Sequence, residues 1–390
     1  MKKIIFAGLV YDLNLGDQAI YEATKYELSK IFDNNKEEFD YKIIDLYGRE
    51  SATIEKECFV KNLINRVKGK IKGTINVNCE RVRRKCKSLI DENIDAIIFV
   101  GGGLIKYKQQ KEICNAIQVV IEYAQKFNIP VMLSGVGVEG YEDNELDCQK
   151  LKKSINSSCV KYITTRDDID LLNNKYISNN KIITAKVCDS ACIINKLYPS
   201  SKKEKTNVIG LGMIRHNLFV DYGIDFTDEQ AIALYKDLYN RITESGYKCE
   251  FFTNGNIADQ LFAERVVTEL NLYKEDVLNE RPKNMEELIK IITKFEAVIV
   301  ARLHASIISY SYDIPSIGLV WNKKQKFFGN NIGYANRFIE YPNLNADNVI
   351  KELKLAIQTG YKAIDNDEYK NSNYNYLKRF IEEYVFGRNN

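Results

Sequence analysis

Histidine is nearly missing from this chain. Of 390 residues only two are histidine, His216 and His304, and each lies within two residues of an arginine. Histidine is the common general acid or base near neutral pH, so a scarce pair beside arginines marks both as candidates. Two ordinary histidines is the plainer alternative. Long apolar runs are also missing. No stretch reaches 18 uninterrupted apolar residues, so no transmembrane helix is expected. The nine cysteines occur singly, and the closest pair, Cys188 and Cys192, is not a CxxC. That spacing completes no zinc site and suits reduced, buried thiols in a cytoplasm. Excess charge of either sign is lacking too. Lys+Arg 56 against Asp+Glu 53 leaves +3, where a nucleic-acid partner would call for a strongly basic domain. The Gly101-Gly102-Gly103 run is neither a GxGxxG nor a Walker A loop, and no long-period repeat is visible.

What remains is an alternation of short β-branched runs and helical patterns. Lys3–Val10 lacks an A-x-A-type cleavage site and reads as a first strand rather than a signal peptide. A loop and a helix over Gln18–Ile31 follow, with Asp17 as its N-cap. Strands are expected at Tyr41–Leu46, Asp95–Val100, Pro130–Val136, Lys161–Thr165 and Ile182–Val187. Tyr198–Thr206, YPSSKKEKT, is the best boundary. Beyond it come strands at Val208–Met213, Lys248–Thr253, Ala297–Ala301 and Ile314–Val320, and a final aromatic, charged helix over Tyr369–Phe386. The expectation is an α/β chain of two Rossmann-like domains facing a cleft, a GT-B-like architecture. Residues 1–200 form the N-terminal domain and 207–365 the C-terminal one. Residues 366–390 form a helix that packs back on the first domain.

In open α/β sheets ligands sit at the carboxyl ends of strands. Four loops hold that position: Asn14–Gln18, with Gly16, Asp17 and Gln18; Gly101-Gly102-Gly103 with Leu104; Arg215-His216-Asn217; and Arg302-Leu303-His304. A guanidinium and an imidazole at a strand end, beside a helix start, make a ready anion site. Lys324 follows in an aromatic, basic segment. Arg166 and Asp167 read more simply as an ion pair at a helix start. From Lys61 to Lys87 ten Lys/Arg stand against one Glu. Apolar Val60, Ile64, Val67, Ile71 and Ile75 recur there at helical spacing. Such a stretch suits an anionic membrane surface, or a solvated helix with its apolar face on the domain.

Taken together, Gly16-Asp17-Gln18-Ala19-Ile20, Gly101-Gly102-Gly103, Arg166-Asp167, Asp189 with Ala191, and above all Arg302-Leu303-His304-Ala305 resemble the polysaccharide pyruvyl transferase family. Pro315 and Lys324 through Phe328 extend the last match. The resemblance implies a GT-B-like fold and transfer of the pyruvyl group of phosphoenolpyruvate to a sugar, with release of phosphate. The acceptor would be a cell-surface polysaccharide or its lipid-linked precursor. The motif match puts the donor on Arg302 and Leu303, with His304 catalytic. Arg215 is a looser carry-over for a second donor-binding arginine, with His216 beside it, and Asp17 is a candidate base. The scheme needs no metal and no cofactor, phosphoenolpyruvate being a co-substrate. A cytoplasmic enzyme is expected, with peripheral contact at the inner membrane face through Lys61–Lys87. A GT-B glycosyltransferase using a nucleotide sugar is the first alternative, and a non-catalytic glycan-binding protein the second.

Overall fold

A computed structural model describes residues 1–51, 74–106, 111–200, 206–361 and 366–387. The chain divides into two compact units. One comprises Met1–Asp12, Ile20–Ser190 and Glu368–Asn390, the other Leu13–Ala19 and Ala191–Asp367.

The first unit is built on six parallel strands: β1 Lys2–Gly8, β2 Phe39–Asp45, β3 Ala96–Val100, β5 Val131–Val136, β7 Val160–Thr165 and β8 Ile183–Lys186, in the order β2-β1-β3-β5-β7-β8. The inner strands read as continuous apolar runs because helices cover both faces of a parallel sheet. Every residue of β3, AIIFV, is buried. A two-stranded pair, β4 Ile105–Lys106 and β6 Val138–Glu139, sits beside it.

The C-terminal helix Ser372–Tyr384 packs on β5 and β7. The expected single helix is interrupted, since a separate turn of helix at Asn366–Lys370 precedes it. Asn373, fully buried, fixes its start. The Asn373 Nδ2 donates to Glu27 Oε2 (2.9 Å) and Ser190 Oγ (2.8 Å), while its Oδ1 accepts from Ser134 Oγ (3.1 Å) and Thr164 Oγ1 (3.4 Å). Removing one partner from a buried network leaves the others unsatisfied. Asn373→Ala is expected to lower unfolding free energy by about 3 kcal/mol in urea denaturation; a loss under about 0.5 kcal/mol would show the network to be dispensable.

The second unit holds five parallel strands: β9 Val208–Gly212, β10 Lys248–Phe252, β11 Ala297–Val300, β12 Ser316–Val320 and β13 Phe338–Glu340, in the order β10-β9-β11-β12-β13. The order reverses between β9 and β11, whose last residues, Gly212 and Val300, are in register. Gly212 is required there, because a Cβ would stand 2.7 Å from the Val300 side chain. Helix Asp228–Glu244 starts with a capping box, the Thr227 side chain accepting from Gln230 N–H and the Gln230 side chain from Thr227 N–H.

Two expectations need correction, and a third falls mostly outside the described residues. The boundary is not at 198–206. The chain enters the second unit at Ala191, because the short helix Ile194–Leu197 packs on the helix Leu303–Ser311 and Tyr312 Oη donates to the Tyr198 carbonyl (2.5 Å). Residues 201–205 of that stretch lie outside the described residues. Asp17 is not an N-cap. The first helix runs Leu15–Asn35, with Asp17 in its first turn, since the Leu15 N–H finds an acceptor elsewhere, in the Asn254 carbonyl (3.0 Å). Finally, much of Lys61–Lys87, with Val60, Ile64, Val67 and Ile71, lies outside the described residues. Its described part is the helix Thr74–Leu89. There the apolar side is spent on the first unit, Val82 and Cys86 being fully buried. Arg83 pairs with Glu122 (3.8 Å), Arg84 with Glu80 (4.0 Å) and Lys85 with Glu50 (3.3 Å). This part fits the reading of a helix with its apolar face on the domain.

Among the described residues no helix is long and apolar enough to cross a membrane. Seven of the eight described cysteines are buried. Burial pushes the Cys86 and Cys114 thiols up to about 12, which suppresses the reactive thiolate.

Candidate active site

The two strands that flank the reversal in the second unit each deliver an arginine. β9 ends at Gly212 and leads through buried Met213 and Ile214 to Arg215. β11 ends at Val300 and leads through Ala301 to Arg302. The crevice at such a reversal is where open α/β sheets bind ligands. The Ala301 carbonyl is held from two sides, by Trp321 Nε1 (2.6 Å) and Gln325 Nε2 (2.9 Å). The backbone entering Arg302 is therefore fixed.

Both arginines converge on Asp259, whose side chain is fully buried. Arg302 Nε and Nη2 donate to Oδ2 at 2.8 and 2.5 Å. Arg215 sends Nη1 (3.2 Å) and its own backbone N–H (3.3 Å) to Oδ1, and Nη1 also reaches Asn256 Oδ1 (3.3 Å). Asp259 lies on the helix Ile257–Glu269, which Asn256 caps by accepting from the Ala258 N–H. Among the described residues Arg302 Nη1, Arg215 Nε and Arg215 Nη2 have no hydrogen-bond partner. Tyr235 lies close by, and burial is the main reason its phenol is pushed up.

His304 is the second residue of the helix Leu303–Ser311, which Arg302 precedes in an extended conformation. His304 is buried, 7% exposed, and its imidazole abuts Gly16. A Cβ on Gly16 would stand 2.1 Å from His304 Nδ1 and 2.5 Å from Cγ. The segment Leu13–Ala19 is brought there by the turn at Asn254–Gly255. Gly255, at φ +91°, lies so close to the Leu13 carbonyl that a Cβ would meet it at 2.6 Å. Leu13, Leu15 and Gly16 are thus tied to the loops after β10 and β11. Asn14 Nδ2 reaches Asp17 Oδ2 at 3.5 Å. Gln18 is half-buried in the same turn of helix, and so is Leu303.

The remaining sequence candidates separate. His216 is turned to Asp228 (Nδ1–Oδ1 2.7 Å), which also pairs with Arg265, while neighbouring Arg215 goes to Asp259. Lys324 is half-buried in the helix Lys323–Asn331, its N–H donating to Asn322 Oδ1 (3.2 Å). Gly101, Gly102 and Gly103 belong to the first unit, after β3. Gly101 adopts φ +135°. The Gly102 carbonyl accepts from Gly137 N–H (2.6 Å) and Leu104 N–H (3.2 Å). Arg166 and Asp167 follow β7 in the first unit. Arg166 forms a buried ion pair with Asp189, and Asp167 Oδ1 accepts from the N–H of Val138 (2.7 Å) and of Asp168 (2.9 Å). Sequence reasoning missed Asp259. An acid in the first turn of a helix reads as a complement to the helix dipole, and only its burial between two arginines shows its other role.

Two parallel sheets, each flanked by helices, give the chain a GT-B-like fold. Solved structures share it over nearly the whole chain. S. aureus MnaA in a co-structure with UDP superposes with a TM-score of 0.60 at 12% identity, covering 99% of this chain and 97% of that one. The UDP-GlcNAc 2-epimerase of Methanocaldococcus jannaschii gives 0.56 at 12% identity, with 93% and 94% covered. The epimerase of Neisseria meningitidis bound to UDP-GlcNAc gives 0.52 at 10% identity, with 99% and 100% covered. No curated protein sequence is significantly similar. The chain belongs to the polysaccharide pyruvyl transferase family, whose model matches residues 14–323. That span includes the Gly16-Asp17 turn, Arg215, Asp259, Arg302 and His304.

Proposed function

We propose that the protein transfers the pyruvyl group of phosphoenolpyruvate to two hydroxyls of one sugar, as a cyclic ketal, and releases phosphate. The sugar belongs to a cell-surface polysaccharide or its lipid-linked precursor. The observation that carries this reading is the Arg215–Asp259–Arg302 constellation, one residue from the helix of His304. Phosphoenolpyruvate is anionic at both its phosphate and its carboxylate, and a donor of that kind needs two cationic anchors.

The chemistry balances on these residues. C3 of the enol takes a proton and C2 becomes electrophilic. One sugar hydroxyl adds to C2, the C2–O bond to phosphate breaks, and the second hydroxyl closes the ring. The two hydroxyls release two protons, of which one replaces that given to C3 and the other leaves with phosphate. His304 is the proton donor, or holds the departing phosphate. Asp17, in the turn that presents Gly16 to His304, takes the proton of the attacking hydroxyl. Neither metal nor cofactor enters the scheme.

The fold favours one competing reading, an enzyme acting on a nucleotide sugar, because the S. aureus and Neisseria structures hold UDP or UDP-GlcNAc. One experiment separates them. The protein is incubated with phosphoenolpyruvate and candidate glycans while phosphate release and sugar mass are followed, and UDP-sugars are run in parallel. Phosphate release with pyruvyl mass gain is the expected result. Binding and turnover of a UDP-sugar without phosphoenolpyruvate binding would replace the proposal.

A further inference from the structure

We infer that Asp259 is a positioning residue that assembles Arg215 and Arg302 into one anion receptor; the inference rests on the donor reading above. Two guanidinium groups brought together repel each other, and repulsion alone would drive their long side chains apart. The buried carboxylate reverses this by dedicating one oxygen to each, Oδ2 to Arg302 and Oδ1 to Arg215. The division is geometric as well as electrostatic. Arg302 binds through Nε and Nη2, so its Nη1 is set in a fixed direction. Arg215 binds through Nη1 and its backbone N–H, so the loop after β9 is fixed with it. The helix that carries Asp259 is itself tied to Arg215 through its cap, Asn256. Three loops of one sheet thus meet at a single carboxylate. Asp259 is fully buried, so it acts on the donor through the arginines.

The role makes a prediction opposite to that of simple charge. Asp259 leaves the trio with one net positive charge, and Asp259→Asn would leave two. If Asp259 only offset charge, the Asn variant would bind anions more tightly. A carboxamide, however, presents one acceptor and one donor. Whichever way it is turned, one arginine loses its acceptor and faces an N–H. Positioning therefore predicts weaker binding.

Binding of phosphoenolpyruvate and, separately, of inorganic phosphate is measured by calorimetry on wild type, Asp259→Asn, Arg215→Gln and the double variant, with thermal unfolding as the control for folding. The expected result is at least about tenfold weaker binding of each anion to Asp259→Asn. The effect should be non-additive with Arg215→Gln, because both changes strike one unit. Equal or tighter anion binding by Asp259→Asn overturns the inference. So does strict additivity, which is what an independent loss of stability would give. Should wild type bind phosphate but not phosphoenolpyruvate, the donor reading fails while the phosphate series still decides the role of Asp259.

Discussion

His304→Gln is expected to lower phosphate release by roughly 10²–10⁴-fold while phosphoenolpyruvate binding changes by no more than about threefold, the span ascribed to one positioned acid or base. The split follows from where the charges lie. The donor's anionic groups are assigned to Arg215 and Arg302, which do not depend on the imidazole for their hydrogen bonds. Glutamine keeps a polar side chain of similar length, so the helix Leu303–Ser311 keeps its packing, but it does not exchange a proton near neutral pH. Initial-rate kinetics with a phosphate assay measure the first quantity and calorimetry the second. Turnover within threefold of wild type would remove His304 from the chemistry. A collapse of binding with unchanged turnover at saturation would reassign it to donor recognition.

Gly16→Ala is the second large effect, and its sign is unusual. Gly16 lies within a helix, where alanine is ordinarily worth about 1 kcal/mol more than glycine. Propensity alone thus predicts a more stable protein. The added Cβ would instead meet His304 Nδ1 at 2.1 Å and Cγ at 2.5 Å, far inside any real contact. Either the ring rotates away or the helix start lifts from the Asn254–Gly255 turn. Overpacking of this kind costs about 1–3 kcal/mol, which outweighs the gain. A lower thermal midpoint together with reduced phosphate release is the expected outcome. The stability penalty should shrink in a His304→Ala background, which removes the ring atoms that the methyl strikes. A Gly16→Ala protein more stable than wild type and fully active would mean that the close approach of Gly16 and His304 does not exist in solution.

Much of the fold was legible because buried parallel strands announce themselves. AIIFV at Ala96–Val100 and AVIV at Ala297–Val300 are β-branched, apolar and of strand length, and each is followed by a loop and then a helix pattern. Arg302-Leu303-His304 was legible for the same reason, since its place at a strand end follows from the strand. The segment after Val320 was harder. Its strand Phe338–Glu340 is only three residues long, and the helix Ala346–Thr359 that follows turns Val349, Ile350, Leu353 and Ala356 to its buried face without a strong strand before it to frame the pattern. The allegiance of Leu13–Ala19 was not legible at all. It depends on Leu15 meeting Asn254 and Gly16 meeting His304, contacts between residues remote in sequence, each marked only by a glycine or a backbone N–H. Asp259 was missed for a related reason: one carboxylate serves two arginines from two different strands.

The attachment of Leu13–Ala19 to the second unit bears on how this chain can be cut, shuffled or inherited in pieces. A fragment spanning Ala191–Asp367 carries both arginines, Asp259 and His304, yet omits the glycine against which the imidazole rests. A recombination event that exchanged that fragment between relatives would import an imidazole shaped for another protein's amino terminus. The smallest exchangeable portion of the candidate active site is therefore discontinuous, and Leu13–Ala19 travels with Ala191–Asp367.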